Sequence, residues 1–173
     1  AGDAASVFAA VDMVVKVKEP QPTETAMLRE DQILFTYLHL APDPVQADGL
    51  IASGAICIAY ETVTDDRGRL PLLAPMSAVA GRLATQAAAV SLESPRGGSG
   101  VLMGGVPGVP GADVVVIGGG VVGENAAEIA VGMGARVTVL DRNPAVLEHL
   151  EQRFGAGITT VYSTTDALER TVA

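Results

Sequence analysis

Residues 114–141 read VVVIGGGVVGENAAEIAVGMGARVTVLD. An apolar run, a glycine cluster, a stretch of small and apolar residues, a second apolar run and a closing acid predict strand, tight turn, helix and strand. Gly118, Gly120 and Gly123 stand in the G-x-G-x-x-G spacing. Gly118 makes the turn off the strand, Gly120 lets backbone come close to a pyrophosphate, and Gly123 lets the helix sit against the sheet. The helix start offers free N–H groups and a partial positive charge to the phosphates. The second strand, 136–140, delivers Asp141, whose carboxylate suits a ribose 2′-hydroxyl. Together these features predict a dinucleotide site. The bland alternative is a glycine-rich turn in an α/β sheet that binds nothing.

Upstream, a further set of strands and a helix is readable. Residues 12–17 read as a strand stopped by Pro20, since proline cannot donate to a ladder and restrains its predecessor. Residues 33–40 (ILFTYLHL) read as a second strand, apolar on both faces as in a helix-covered parallel sheet. Asp43 then serves as N-cap, Pro44 as first helical residue and Gly54 as the closing glycine. Residues 55–60 form a third strand, so a βαβ unit and a parallel sheet follow. Residues 75–93 carry apolar side chains at i, i+3 and i+4, the stripe of an amphipathic helix.

Glycine and proline at 96–100 and 104–111 mark a linker or hinge. Beyond it come strand 114–117, helix 121–133, strand 136–140, helix 144–153, strand 158–162 and part of a helix at 166–173. The fold class is α/β: a Rossmann-type parallel-sheet dinucleotide-binding domain plus part of a second α/β domain. The domains divide as 1–74 (partial second domain), 75–98 (connecting helix) and 99–173 (first half of the dinucleotide domain). The chain starts without Met and runs almost at once into a strand, and it stops within a helical pattern, so both ends read as cut.

The net charge of −9 with scattered Lys and Arg argues against nucleic acid or an anionic membrane as partner. A single cysteine, Cys57, excludes an internal disulfide framework and fits a reducing compartment. In its apolar run it reads as a core residue before a nucleophile. Residues 99–123 are poor in charge but too interrupted by glycine and proline for a membrane-spanning helix, and no basic, apolar leader opens the chain.

The segments VKVKEP (15–20), ILFTYLHLA (33–41), IAYETV (58–63), LPLLAPMSAVAGR (70–82) and VLMGGVPGV (101–109), with VVVIGGGVVG and VTVLDRNP, resemble the alanine dehydrogenase/transhydrogenase family, and its alanine dehydrogenase branch above all. The resemblance implies a central fragment of a longer NAD-dependent enzyme. That enzyme would oxidise L-alanine to pyruvate and ammonia as a cytoplasmic homo-oligomer. It implies Lys18 and His39 as catalytic residues, Lys18 at the substrate carbonyl or amine and His39 in acid–base work. From the residues alone, both fall at C-terminal strand ends, where open parallel sheets bind ligands. Their alternatives are a solvated charge beside Glu19 and a satisfied core histidine.

The resemblance further implies cofactor contacts at Ser77, Val121, Val122, Asp141 and Ser163. Asp141 favours NAD over NADP, although the adjacent Arg142 is able to hold a 2′-phosphate. Ser77 also reads as an N-cap, and Ser163 as an ordinary turn residue. Two departures from the family pattern stand out: Ala78 where Glu is common, and residues 87–92 (AAAVSL). The family's substrate-carboxylate arginine is implied ahead of residue 1, and its catalytic aspartate and nicotinamide pocket beyond residue 173. A non-catalytic nucleotide-binding or interaction module is the competing reading.

Overall fold

The computed structural model describes residues 2–173. The chain divides into two compact units, one up to Leu73 and one from Ala74 onward.

The first unit contains α1 (Ala4–Ala10), β1 (Met13–Val15), α2 (Pro22–Thr25), β2 (Ile33–Thr36), α3 (Pro44–Ser53) and β3 (Ile56–Ala59). Its strands form a parallel sheet in the order β1-β2-β3, with Val14 opposite Leu34 and Leu34 opposite Cys57. That register brings Val14 and Leu34 to one face, where Phe8, Leu28, Leu38 and Leu50 close over them and Cys57 packs alongside. The α3 caps are as read from the sequence. Asp43 Oδ1 accepts from Gln46 N at 2.9 Å, Pro44 is the first helical residue, and Gly54 takes φ 68°.

Three features of this unit differ from the sequence expectation. Helix α1 precedes the first strand; Asp3 caps it by accepting from Ser6 N at 2.8 Å. The buried Gln32 amide then ties it down by donating to the carbonyls of Phe8 and Val11, each at 2.8 Å. Both leading strands are also shorter than read: β1 stops at Val15 and β2 at Thr36. Beyond Thr36 the N–H groups of Leu38 and His39 go to a side-chain carboxylate instead of a ladder. Lastly, the second sheet face is open, with Val15 61% and Ile56 49% exposed.

The second unit holds α4 (Ala74–Ser91), β4 (Asp113–Ile117), α5 (Val121–Gly132), β5 (Arg136–Asp141), α6 (Pro144–Phe154), β6 (Ile158–Tyr162) and α7 (Thr165–Val172). The sheet is parallel in the order β4-β5-β6. Its core is small on the helix and branched on the sheet: Ala127 and Ala130 of α5 meet Val137 and Val139 of β5, and Leu150 of α6 seals one side. Small helical residues bring α5 close to the strands, and that fixes where its N-terminus points.

Helix α4 belongs to this unit. A Cβ on Gly81 would lie 2.1 Å from Val122 O, and Thr85 Oγ1 donates to Ala126 O at 2.8 Å. The glycine- and proline-rich stretch also lies inside it. Ala112 N donates to Met103 O at 2.9 Å, and a Cβ on Gly104 would fall 2.2 Å from Met133 O. Those glycines serve close packing as well as turning. Among the described residues, no helix is long and apolar enough to cross a membrane.

Candidate functional site

In the second unit, β4 delivers the glycine turn and β5 delivers Asp141 to the same C-terminal sheet edge. Gly118 takes φ 93°, a region that costs a side chain but not glycine. Its N–H continues the ladder to Leu140 O at 2.7 Å. A Cβ on Gly123 would sit 1.8 Å from Gly118 O, so glycine there is required by packing. Gly120 differs: its φ is −66°, open to any residue, and a Cβ there would meet nothing within 4 Å. Neither backbone nor protein neighbours demand glycine at 120. The first-turn N–H groups of Val121 and Val122 meet no acceptor among the described residues, as expected of a helix start. This open cradle fits a dinucleotide pyrophosphate.

Asp141 ends β5 with both carboxylate oxygens engaged. Oδ1 accepts from Asn143 N at 2.8 Å and Oδ2 from Gly119 N at 2.6 Å. Those hydrogen bonds, Asn143 first and Gly119 next, outweigh partial burial and hold its carboxyl below the usual aspartate range. Each oxygen keeps a further lone pair, so a ribose hydroxyl can still donate to it. Ser163 follows β6 directly, and its N–H donates to Asp141 O at 2.9 Å, which brings it to the same edge. Ser77 lies within the first turn of α4 and is not the N-cap. It shares a helix face with Gly81, one turn earlier, and Gly81 is where α4 touches the start of α5. Arg142 is exposed.

In the first unit, the loops after β1 and β2 meet. Thr36 Oγ1 donates to Lys18 O at 2.8 Å, and Glu19 contacts His39 Nδ1 directly. Lys18 is exposed and has no ion-pair partner among the described residues; Lys16 pairs instead with Glu24. His39 is not a strand residue. It sits past β2 in left-handed backbone at φ 46°, half-buried, its ring stacked on Tyr37 with centroids 5.7 Å apart. Such backbone costs a side chain roughly 1–2 kcal/mol.

Glu61, from the short turn after β3, accepts from His39 N at 2.6 Å and Leu38 N at 3.1 Å. Hydrogen bonds to a charged group contribute about 1.5–3 kcal/mol each, enough to offset the strain. Burial pushes the Glu61 carboxyl up, but the N–H groups of His39, Glu61 itself and Leu38 outweigh that and lower it. Glu19 is also lowered, first by its own N–H, against burial and with help from His39.

Glu19 and Glu61 are the functional candidates that sequence reasoning missed. Glu19 was readable: it adjoins Lys18, although β1 stops at Val15 and both lie in the loop beyond it. Glu61 was not, because its donors lie 22 and 23 residues away. Cys57 packs against the first core, where burial raises its thiol; it is no activated nucleophile. Among the described residues no cluster of His, Cys, Asp and Glu suits a metal ion.

The alanine dehydrogenase/PNT C-terminal domain model matches residues 84–173 and the corresponding N-terminal domain model residues 1–80. Alanine dehydrogenase of Halomonas elongata is 57% identical over 170 residues, covering 98% of this chain and 46% of that protein. The Mycobacterium tuberculosis alanine dehydrogenase is 56% identical over 171 residues, with 99% and 46% covered. A solved L-alanine dehydrogenase superposes with a TM-score of 0.86 at 48% identity, over 99% of this chain and 47% of that one. The chain thus spans just under half the length of the curated relatives it matches. It belongs to the alanine dehydrogenase/PNT family, with matches to both its N- and C-terminal domains.

Proposed function

We propose that the chain is part of an NAD-dependent alanine dehydrogenase: L-alanine, NAD and water give pyruvate, ammonium, NADH and a proton. Residues 99–173 are the first half of the dinucleotide domain, residues 1–74 are part of the substrate domain, and 75–98 are the helix that connects them. The enzyme acts in cytoplasmic amino-acid catabolism as a homo-oligomer. The observation that carries the cofactor assignment is the open space at Gly120 beside the unpaired N–H groups of α5.

The chain's own residues divide the work. Backbone N–H groups of Val121 and Val122 hold the pyrophosphate, with the α5 dipole favouring its charge. Asp141 takes the adenosine ribose and repels a 2′-phosphate, so NAD is preferred to NADP; Ser77 and Ser163 add polar contacts. NAD, when bound, accepts the hydride from the substrate Cα.

Lys18 sets an ammonium beside the substrate oxygen, which bears negative charge after water has added to the imine and until the C–N bond breaks, ammonia leaves and the carbonyl forms. The ammonium stabilises that charge. His39 moves the proton. With Nδ1–H donated to Glu19, Nε2 carries the lone pair and takes a proton from water or from the amine. Glu19 holds the tautomer and stabilises the imidazolium that results.

The test is NADH binding to the 173-residue chain by calorimetry, alongside alanine oxidation by a full-length enzyme carrying this segment. Binding by the chain and NAD-dependent oxidation of alanine by the enzyme are expected. A full-length enzyme that neither oxidises alanine nor aminates pyruvate would overturn the reading. The non-catalytic alternative would then gain if the chain still bound NADH.

A further inference from the structure

We propose that Glu61 is a positioning residue: its carboxylate holds the Leu38–His39 backbone in a left-handed turn and so aims the His39 ring at Glu19. This rests on the reading of His39 as the proton-moving group. Three observations carry it. The sequence 33–40 is strand-like throughout, yet β2 ends at Thr36 at the point where the next N–H groups turn to Glu61. His39 is one of two non-glycine residues with positive φ among the described residues. Glu61 also comes from the turn after β3, the neighbour of β2 in the sheet, so the hold is anchored to the scaffold and not to the loop it shapes.

The consequence is chemical. An extended 37–40 segment would carry the ring along the strand direction, away from the loop after β1. The turn brings Nδ1 to Glu19 and leaves Nε2 free. Glu61 itself accepts from the Leu38 and His39 backbone N–H groups and touches no reacting atom, so it acts through His39. The charged and titratable groups nearest this turn are Lys18 and Glu19 from the loop after β1, His39 itself, and the phenols of Tyr37 and Tyr60.

The experiment is NMR on the 173-residue chain, whose two histidines, His39 and His149, give separate ring signals. Glu61→Ala should speed exchange of the Leu38 and His39 amides at least tenfold. It should also move the His39 ring resonances, because the ring is no longer held against Glu19, and leave those of His149 in place. Glu61→Gln keeps an acceptor oxygen and should restore part of the amide protection and part of the native ring signal.

Unchanged exchange and unchanged His39 ring resonances in Glu61→Ala overturn the inference. Should either variant unfold, the wild-type chain decides. Through the acid range the two amide resonances should move together with a single midpoint below the ordinary glutamate range. Independent or absent movement overturns it. His39→Ala with full turnover in the full-length enzyme would remove the catalytic reading of His39 while leaving the amide result standing. Full loss of turnover in His39→Ala with no amide change in Glu61→Ala would sink the Glu61 inference alone.

Discussion

Gly119 donates its backbone N–H to Asp141 Oδ2 at 2.6 Å. The bond joins the turn after β4 to the last residue of β5, and Asn143 N on the other oxygen extends the tie to the start of α6. The acid at the end of β5 therefore shapes the glycine turn before any nucleotide arrives. The side chain that we propose takes the adenosine ribose thus also holds the turn proposed to take the pyrophosphate.

Asp141→Ala removes both functions. The Gly119 N–H loses its partner, at a cost of about 1–3 kcal/mol for a buried donor, and the ribose loses its acceptor. NADH affinity should fall by at least tenfold, about 1.4 kcal/mol. NADPH affinity should fall less, because the repulsion of its 2′-phosphate disappears with the carboxylate. Calorimetric titration with each nucleotide checks this. Equal losses would mean that Asp141 shapes the turn without touching the ribose.

Gly120 and Gly123 separate binding from packing. Gly123→Ala places a methyl 1.8 Å from Gly118 O and 2.9 Å from Gly118 C; backbone cannot retreat, so α5 must lift from the sheet. Thermal unfolding should fall by several degrees, and NADH binding should be lost with it. Gly120→Ala puts a methyl into open space at an ordinary φ. Its stability should stay within about 0.5 kcal/mol of wild type, while NADH weakens about tenfold or more. Unimpaired NADH binding by a stable Gly120→Ala chain would remove the pyrophosphate from this turn.

The run from β4 to α7 was legible almost residue by residue because its signals are local. Turn, cap and period all lie within a few positions of the atoms they control, as with Asn143 capping α6 by accepting from Ala145 N at 3.0 Å. The first unit was legible as a βαβ plan but not at its strand ends. ILFTYLHL is uniformly strand-like, and nothing local says that it stops at Thr36. The stop comes from Glu61, a long-range partner whose recruitment leaves no periodic trace. Helix α1 escaped for a related reason: its anchor is the Gln32 side chain, 21 and 24 residues from the carbonyls it holds.

Acid should unfold the chain through its paired carboxylates. Asp141 is lowered by the N–H groups of Asn143 and Gly119. Glu61 is lowered by the His39 and Leu38 N–H groups against burial, and Glu24 by Lys16 and Gln21, again against burial. A carboxyl lowered on folding adds stability that is complete above its unfolded value, about 3.9 for Asp and 4.3 for Glu, and lost as pH falls through the folded value. These groups predict a flat melting temperature above about pH 5.5 and a decline below about pH 4. The net charge of −9 acts oppositely, since protonation relieves repulsion. Measuring in about 0.15 M salt, where screening acts over roughly 8 Å, leaves the short contacts dominant. A melting temperature that rises between pH 5 and pH 3 would show the repulsion winning. Glu61→Gln should flatten the acid decline.

Lys18 and His39 should fail differently from structural residues. In a full-length enzyme, Lys18→Ala removes an exposed ammonium with no ion-pair partner among the described residues. Folding and NADH affinity should be unchanged and turnover should fall by at least a hundredfold, the low end for a positioned catalytic group. His39 offers a sharper comparison because its backbone is strained. His39→Ala keeps the left-handed φ of 46° without the ring, whereas His39→Gly removes ring and strain together. The glycine variant should melt higher than the alanine variant, by the equivalent of about 1 kcal/mol, and both should lack turnover. Turnover in either variant would take His39 out of the chemistry. Equal melting would mean that the turn is held without strain, and that Glu61 bonds to a backbone already at ease.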